Sequence, residues 1–193
     1  MDQPAEVSVL EQGPLFVKVA VKGKIGKYSF TQTIRLTQGE PRIDMSVKLD
    51  WTGNPRIGEP GIEFRADNPR KAFYDDRYKL LVYLPTQIAN QQIYKDAPFD
   101  VCESRLENTF FNRWDSIKHN IILNWVDVAS KDNSCGLSLF TDHTTSYAHG
   151  KDFPLALNVQ YAGKGLWGRD YIIDRPTEIS YALIPHAGTW EKS

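Results

Sequence analysis

Between positions 43 and 51 the chain alternates without a fault. Ile43, Met45, Val47, Leu49 and Trp51 are apolar, and Asp44, Ser46, Lys48 and Asp50 between them are polar or charged. A period of two puts one set of side chains on a buried face and the other in water, the mark of an antiparallel strand wetted on one side. The stretch before it behaves alike: Tyr28, Phe30, Ile34 and Leu36 alternate with Ser29, Thr31, Thr33, Arg35 and Thr37, and only Gln32 interrupts the apolar row. Gln38-Gly39-Glu40-Pro41 between the two runs is a turn cluster, so a hairpin with a four-residue connection is expected. Upstream, Leu15, Val17, Val19 and Val21 form a further row, and Gly23-Lys24-Ile25-Gly26 is expected to turn the chain.

The same pattern places strands at 79–84, 99–103, 117–123, 135–141, 155–161 and 178–184. A sustained helical stripe is absent; the best helix candidate, 86–95, is short and poorly capped. Ten or more short strands separated by Gly, Pro and Asn clusters predict an all-β fold, a large antiparallel β-sandwich, with 1–193 as a single domain. Long polar segments at 52–61, 66–78, 104–116 and 162–177 are candidate functional loops.

Composition narrows the function. The 23 basic and 24 acidic side chains nearly cancel, whereas a nucleic-acid binder or a membrane-surface protein carries a basic surplus. No apolar run approaches the roughly 20 residues that cross a bilayer. The N-terminus, MDQPAEVSV, lacks the basic and apolar regions of a signal peptide. Cys102 and Cys135 lie in strand-like sequence with no CxxC pair, and are expected as buried free thiols.

Candidate chemistry is sparse. Asp75-Asp76 reads as a solvated turn, since neighbours on an extended chain point apart. Asp142, His143 and His149 have metal-binding side chains but no recognised ligand spacing, and read as polar loop residues. Arg105 lies among Asp100, Glu103 and Glu107, where a guanidinium serves equally as a structural brace or as a donor to sugar hydroxyls. Trp114, Trp125, Trp167 and Trp190 with Tyr147, Tyr161 and Tyr171 fill a core or stack on sugar rings.

Three stretches in series carry a resemblance. Val9-Leu10-Glu11-Gln12-Gly13-Pro14 leads, two strands on, into RLTQGEPRIDMSVKLDW (35–51). NWVDVASKDNSCGLSLFTDHTTSYAHG follows at 124–150, and TEISYALIPHAGTW at 177–190. In order and spacing they resemble the C-terminal region of family 38 glycoside hydrolases, the α-mannosidases, over nearly the whole chain. The resemblance implies a galactose-mutarotase-like supersandwich excised from a longer glycosidase. It implies a parent that is a zinc-dependent retaining enzyme acting on terminal α-mannosides. Nucleophile, acid/base residue and zinc then belong to an N-terminal catalytic domain of the same polypeptide. This chain would hold no catalytic residue, metal or cofactor, and no pair of carboxyls about 5–5.5 Å apart is nominated.

Its partners would be that catalytic domain and a mannose-containing glycan, with Arg105 the residue placed to approach the sugar. His186 is expected to fix the exit of the last strand, and Asp127 to be an ordering hydrogen-bond partner. One rival is a free-standing carbohydrate-binding module, whose site would use Trp114 or Trp167 in loops, because outward strand positions such as Thr31, Arg35 and Lys48 are polar. Another is a mutarotase-like enzyme using His119, His143 or His149 with a carboxylate.

Overall fold

The structure, a computed structural model, describes residues 4–53, 55, 79–105, 117–150, 153–161, 163–164 and 170–192. Within them the chain runs through β1 (Glu6–Gln12), β2 (Phe16–Ile25), β3 (Tyr28–Thr37), β4 (Ile43–Asp50), β5 (Lys79–Leu84), β6 (Gln91–Ala97) and β7 (Asp100–Glu103). It continues through β8 (Ile117–Ile122), β9 (Trp125–Ser130), β10 (Gly136–Thr141), β11 (Thr145–Gly150) and β12 (Phe153–Tyr161). Then come the short β13 (Gly163–Lys164) and β14 (Asp170–Tyr171), the long β15 (Thr177–His186), and a 3-10 turn, Trp190–Lys192. Among the described residues no helix is long and apolar enough to cross a membrane.

Nine strands form one antiparallel sheet in the order β1-β2-β3-β4-β15-β10-β9-β6-β7, and four form a second, β5-β12-β11-β8. β1 to β4 are a meander, and the register of β3 on β4 pairs Arg35 with Asp44 and Phe30 with Leu49. The connection at 38–42 is one residue longer than the turn cluster suggested, with Gly39 at φ 78°. The turn expected at 23–26 comes one step later. Gly26 (φ 58°) and Lys27 make a two-residue turn with glycine first, which needs no Cβ at positive φ. Gly23 stays within β2, because the Phe30 ring lies over it; a Cβ there would sit 2.7 Å from Phe30 Cε1.

The weak helix candidate at 86–95 forms no helix, in keeping with the all-β expectation. Ile88 precedes a bend at Asn90 (φ 46°), and 91–97 is β6, paired with β9 on one side and β7 on the other. β1, β9, β11 and the short β13 and β14 also lie outside the expected strands. β9 and β11 are buried at nearly every position, so polar and apolar residues do not sort by face.

The core lies between the sheets. Leu49, Ile93, Val126, Val128, Leu139, Ile179 and Tyr181 of the large sheet meet Tyr147, Leu155, Leu157 and Ile122 of the small one. Each such side chain contributes about 1.5–3 kcal/mol on leaving water. Polar ties fix the layers: Trp51 Nε1 donates to Thr177 Oγ1 at 2.9 Å, and Thr177 Oγ1 donates to Gln160 Oε1 at 2.5 Å, joining β15 to β12. Asp96 of β6 accepts from the backbone N–H of Leu123 (2.9 Å) and Asn124 (2.7 Å), which clamps the turn between β8 and β9. The small sheet does not cover the large one. The core-side row of β1 is in solvent, with Val7 66 % and Val9 59 % exposed.

Candidate functional site

The arrangement around the last strand is built from three of its residues. His186 ends β15 opposite Gly136 of β10. Gly136 is required there: a Cβ would lie 2.4 Å from His186 Cε1 and 2.6 Å from Nε2. Over that bare backbone the imidazole reaches Asp127, and Nε2 donates to Oδ1 at 2.7 Å. Ser138, the register partner of Asp127, donates its hydroxyl to the same oxygen at 2.7 Å. Both side chains of the pair are buried, at 0 % for Asp127 and 5 % for His186.

These residues lie on the face of the large sheet turned away from the core, since Val126 and Val128 point inward. The chain that follows covers them. Gly188 (φ 92°) donates its N–H to Asn133 O at 2.9 Å, and the Trp190 ring stacks on Trp125 with centroids 5.4 Å apart. The Tyr94 ring centroid lies 6.3 Å from that of Trp190. The terminal P-H-A-G-T-W run is therefore a clasp, which agrees with the structural roles expected for His186 and Asp127.

Arg105 stands elsewhere, just beyond β7 at the edge of the large sheet. Its side chain is 69 % exposed and its Nε lies 3.4 Å from Glu103 Oε2. Its backbone is anchored next door: Ser104 N–H donates to Ile93 O at 2.7 Å, and the Tyr147 hydroxyl donates to Ser104 Oγ at 2.6 Å. Burial pushes the Tyr147 phenol up to about 12, against the smaller opposing effect of its bonds to Ser104 and Asn120.

The remaining candidates scatter. His149 is not a loop residue: it is buried in β11, its Nδ1 donating to Gly150 O at 2.9 Å, and burial lowers its pKa below the ordinary 6.5. Exposed His143 instead pairs with its neighbour Asp142, at 2.5 Å. No three His, Cys, Asp or Glu side chains converge among the described residues, so these offer no cradle for zinc. Both thiols are free, Cys102 half-buried and Cys135 exposed, the latter against the expectation of burial. Asp75, Asp76, Glu107, Trp114, Trp167 and the side chains of His119 and Tyr171 lie outside the described residues.

One concave region was not foreseen. On the outward face of β2, β3, β4, β15 and β10, Lys18, Arg35, Arg42, Asp44, Ser46, Ser180 and Phe140 help to line an open groove of about 520 Å³. Its signal, two like charges opposite one another, exists only once β2 and β3 are paired.

Comparison with known proteins bears on the whole chain. Among solved structures, an α-mannosidase from Enterococcus faecalis V583 superposes with a TM-score of 0.69 at 12 % identity, over 97 % of this chain and 23 % of that one. A glycosyl hydrolase family 38 protein from Enterococcus faecalis does so at 0.68, with 12 % identity and the same coverage. A galactose mutarotase related enzyme from Lactobacillus acidophilus superposes at 0.44 and 7 % identity, over 96 % of this chain and 73 % of that one. No curated protein sequence matches. This chain thus spans less than a quarter of the α-mannosidase it resembles. Residues 1–158 match the family model described as the glycosyl hydrolases family 38 C-terminal domain, and the chain belongs to that family.

Proposed function

We propose that this chain is the non-catalytic C-terminal sandwich of a zinc-dependent retaining α-mannosidase, bracing the catalytic barrel that hydrolyses terminal α-mannosides. The observation that carries this reading is the uncovered inner face of the large sheet. Val7, Val9 and Leu36 stand in solvent on β1 and β3, and Leu15 between strands. An apolar sheet face of this kind marks a surface made for a neighbour. A chain spanning 23 % of the Enterococcus α-mannosidase leaves ample polypeptide to supply one. Zinc, in this reading, belongs to the catalytic domain.

Arg105 is the residue offered to the mannose-containing glycan. Its strand end is fixed through Ser104 and Tyr147, while its guanidinium is largely exposed, with Glu103 beside it among the described residues. A planar donor on an anchored backbone suits the hydroxyls of a sugar at the edge of a neighbouring site.

Hydrolysis of an aryl α-mannoside tests the proposal. The purified chain is expected to give no turnover with or without zinc. In the full-length enzyme Arg105→Ala is expected to lower kcat/KM by about 10-fold or more, the loss of one charge-assisted hydrogen bond. Zinc-dependent turnover by this chain alone overturns the reading, and saturable mannose binding without turnover favours a carbohydrate-binding module.

A further inference from the structure

The groove on the outward face of the large sheet brings two like charges side by side, with Glu11 and Asp44 flanking them in register and Asp142 on the opposite part of the lining. Lys18 of β2 and Arg35 of β3 are direct cross-strand partners. Like charges in that position destabilise a sheet. Neither makes an ion pair among the described residues. Asp44, the partner of Arg35 on β4, is held instead by Arg42 Nε at 2.8 Å, and Glu11, opposite Lys18 on β1, bonds to neither. Arg35 is nevertheless held in place, its guanidinium lying 4.3 Å from the centroid of the Phe16 ring. Two adjacent cations, one pre-oriented by an aromatic face, form a receptor for a tetrahedral anion.

Next to the cations the groove changes character. Ser46, which shares a short hydroxyl contact of 2.5 Å with Thr33, is the register partner of Ser180, and Phe140 lies beyond. Hydroxyls in a row beside an aromatic ring suit a polyhydroxylated ring, and about 520 Å³ is the size of a small-molecule site. We propose that this groove binds a phosphorylated monosaccharide, its phosphate between Lys18 and Arg35 and its ring along Ser46 and Ser180. A phosphate monoester brings a charge of about −1.5 to −2 at pH 7 and offsets the repulsion between the two cations. The site is separate from Arg105 and does not rest on the mannosidase reading.

The test is a titration of the 193-residue chain with a hexose 6-phosphate, inorganic phosphate and the unphosphorylated hexose, followed by amide NMR. The hexose phosphate is expected to bind at least about tenfold more tightly than either fragment, with shifts confined to β2, β3, β4 and β15. Arg35→Ala and, independently, Lys18→Gln are expected to weaken it by about tenfold each while circular dichroism stays unchanged. Absence of saturable binding overturns the proposal. So does equal affinity for inorganic phosphate, or full affinity retained in either folded variant.

Discussion

His186 and Asp127, 59 residues apart, meet as an imidazole and a carboxylate 2.7 Å apart over the bare backbone of Gly136. The contact joins the end of β15 to β9 across the intervening β10. One oxygen of the pair takes both the imidazole and the Ser138 hydroxyl, while Asp127 Oδ2 and His186 Nδ1 find no partner among the described residues. The geometry is thus held by a single shared acceptor and by the space a glycine leaves.

Gly136→Ala is expected to destabilise the fold by about 1–3 kcal/mol, since the imidazole must leave its place over the strand. For a domain of this size that is a fall in Tm of roughly 2–4 °C per kcal/mol. In a His186→Ala background the same glycine change is expected to cost little. A double-mutant cycle by thermal unfolding checks this, and additive losses contradict it.

His149 gives an acid limb to stability. Burial lowers its folded pKa, so the unfolded chain takes up the proton first, from about pH 6.5 downward. The stability is fully present above that value and is lost as pH falls toward the folded pKa, at no more than about 1.4 kcal/mol per pH unit. Urea midpoints between pH 5 and 8 are expected to show this slope in the natural chain and a flatter one in His149→Gln.

Tyr147 gives the corresponding alkaline limb. Its phenol titrates near 12 in the fold and 10 in the unfolded chain, so its contribution is intact below pH 10 and is lost as pH rises through 12. Burial raises Tyr181 in the same direction. Tyr147→Phe is expected to cost about 1 kcal/mol at neutral pH through the lost bond to Ser104, and to remove part of the alkaline loss. Unfolding curves at pH 8 and 11 measure both effects.

The uncovered row on β1 predicts concentration-dependent self-association of the isolated chain. Val9→Lys is expected to weaken it by about tenfold or more, the burial of one such side chain being worth about 1.5–3 kcal/mol. Sedimentation velocity over a wide concentration range is the measurement. A strictly monomeric profile at high concentration contradicts the expectation.

The strands most legible in the sequence are those with two different environments. β4 has a core on one side and solvent on the other, and its alternation from Ile43 to Trp51 shows both. β5 appears at 79–84 as read. β9 fails the same test because Asp127, on the outward face, is as buried as Val126 and Val128 on the inward one. β6 fails because Gln91, Gln92 and Lys95 are polar on both faces, and each satisfies its side chain locally, Gln92 on Ser130 O and Lys95 on Ile121 O. His186 and Asp127 are each nameable from their motifs. Their meeting is not, because it depends on β15 lying beside β10, with β9 next in the sheet, a matter of topology rather than of local pattern. The Lys18–Arg35 juxtaposition was hidden for the same reason.

The place of β15 also sets a timetable. β1 to β4 can pair as soon as they leave the ribosome, and β6, β7, β9 and β10 can pair among themselves. Among the described strands the two half-sheets are joined through β15, which sits between β4 and β10 and follows all the others. Until residues 177–186 emerge, each half therefore carries an unpaired edge at β4 or β10, the kind of edge that invites pairing with another nascent chain. Completion of the large sheet waits for β15 and is an event of high contact order, and a ribosome stalled before residue 177 holds that sheet in two halves.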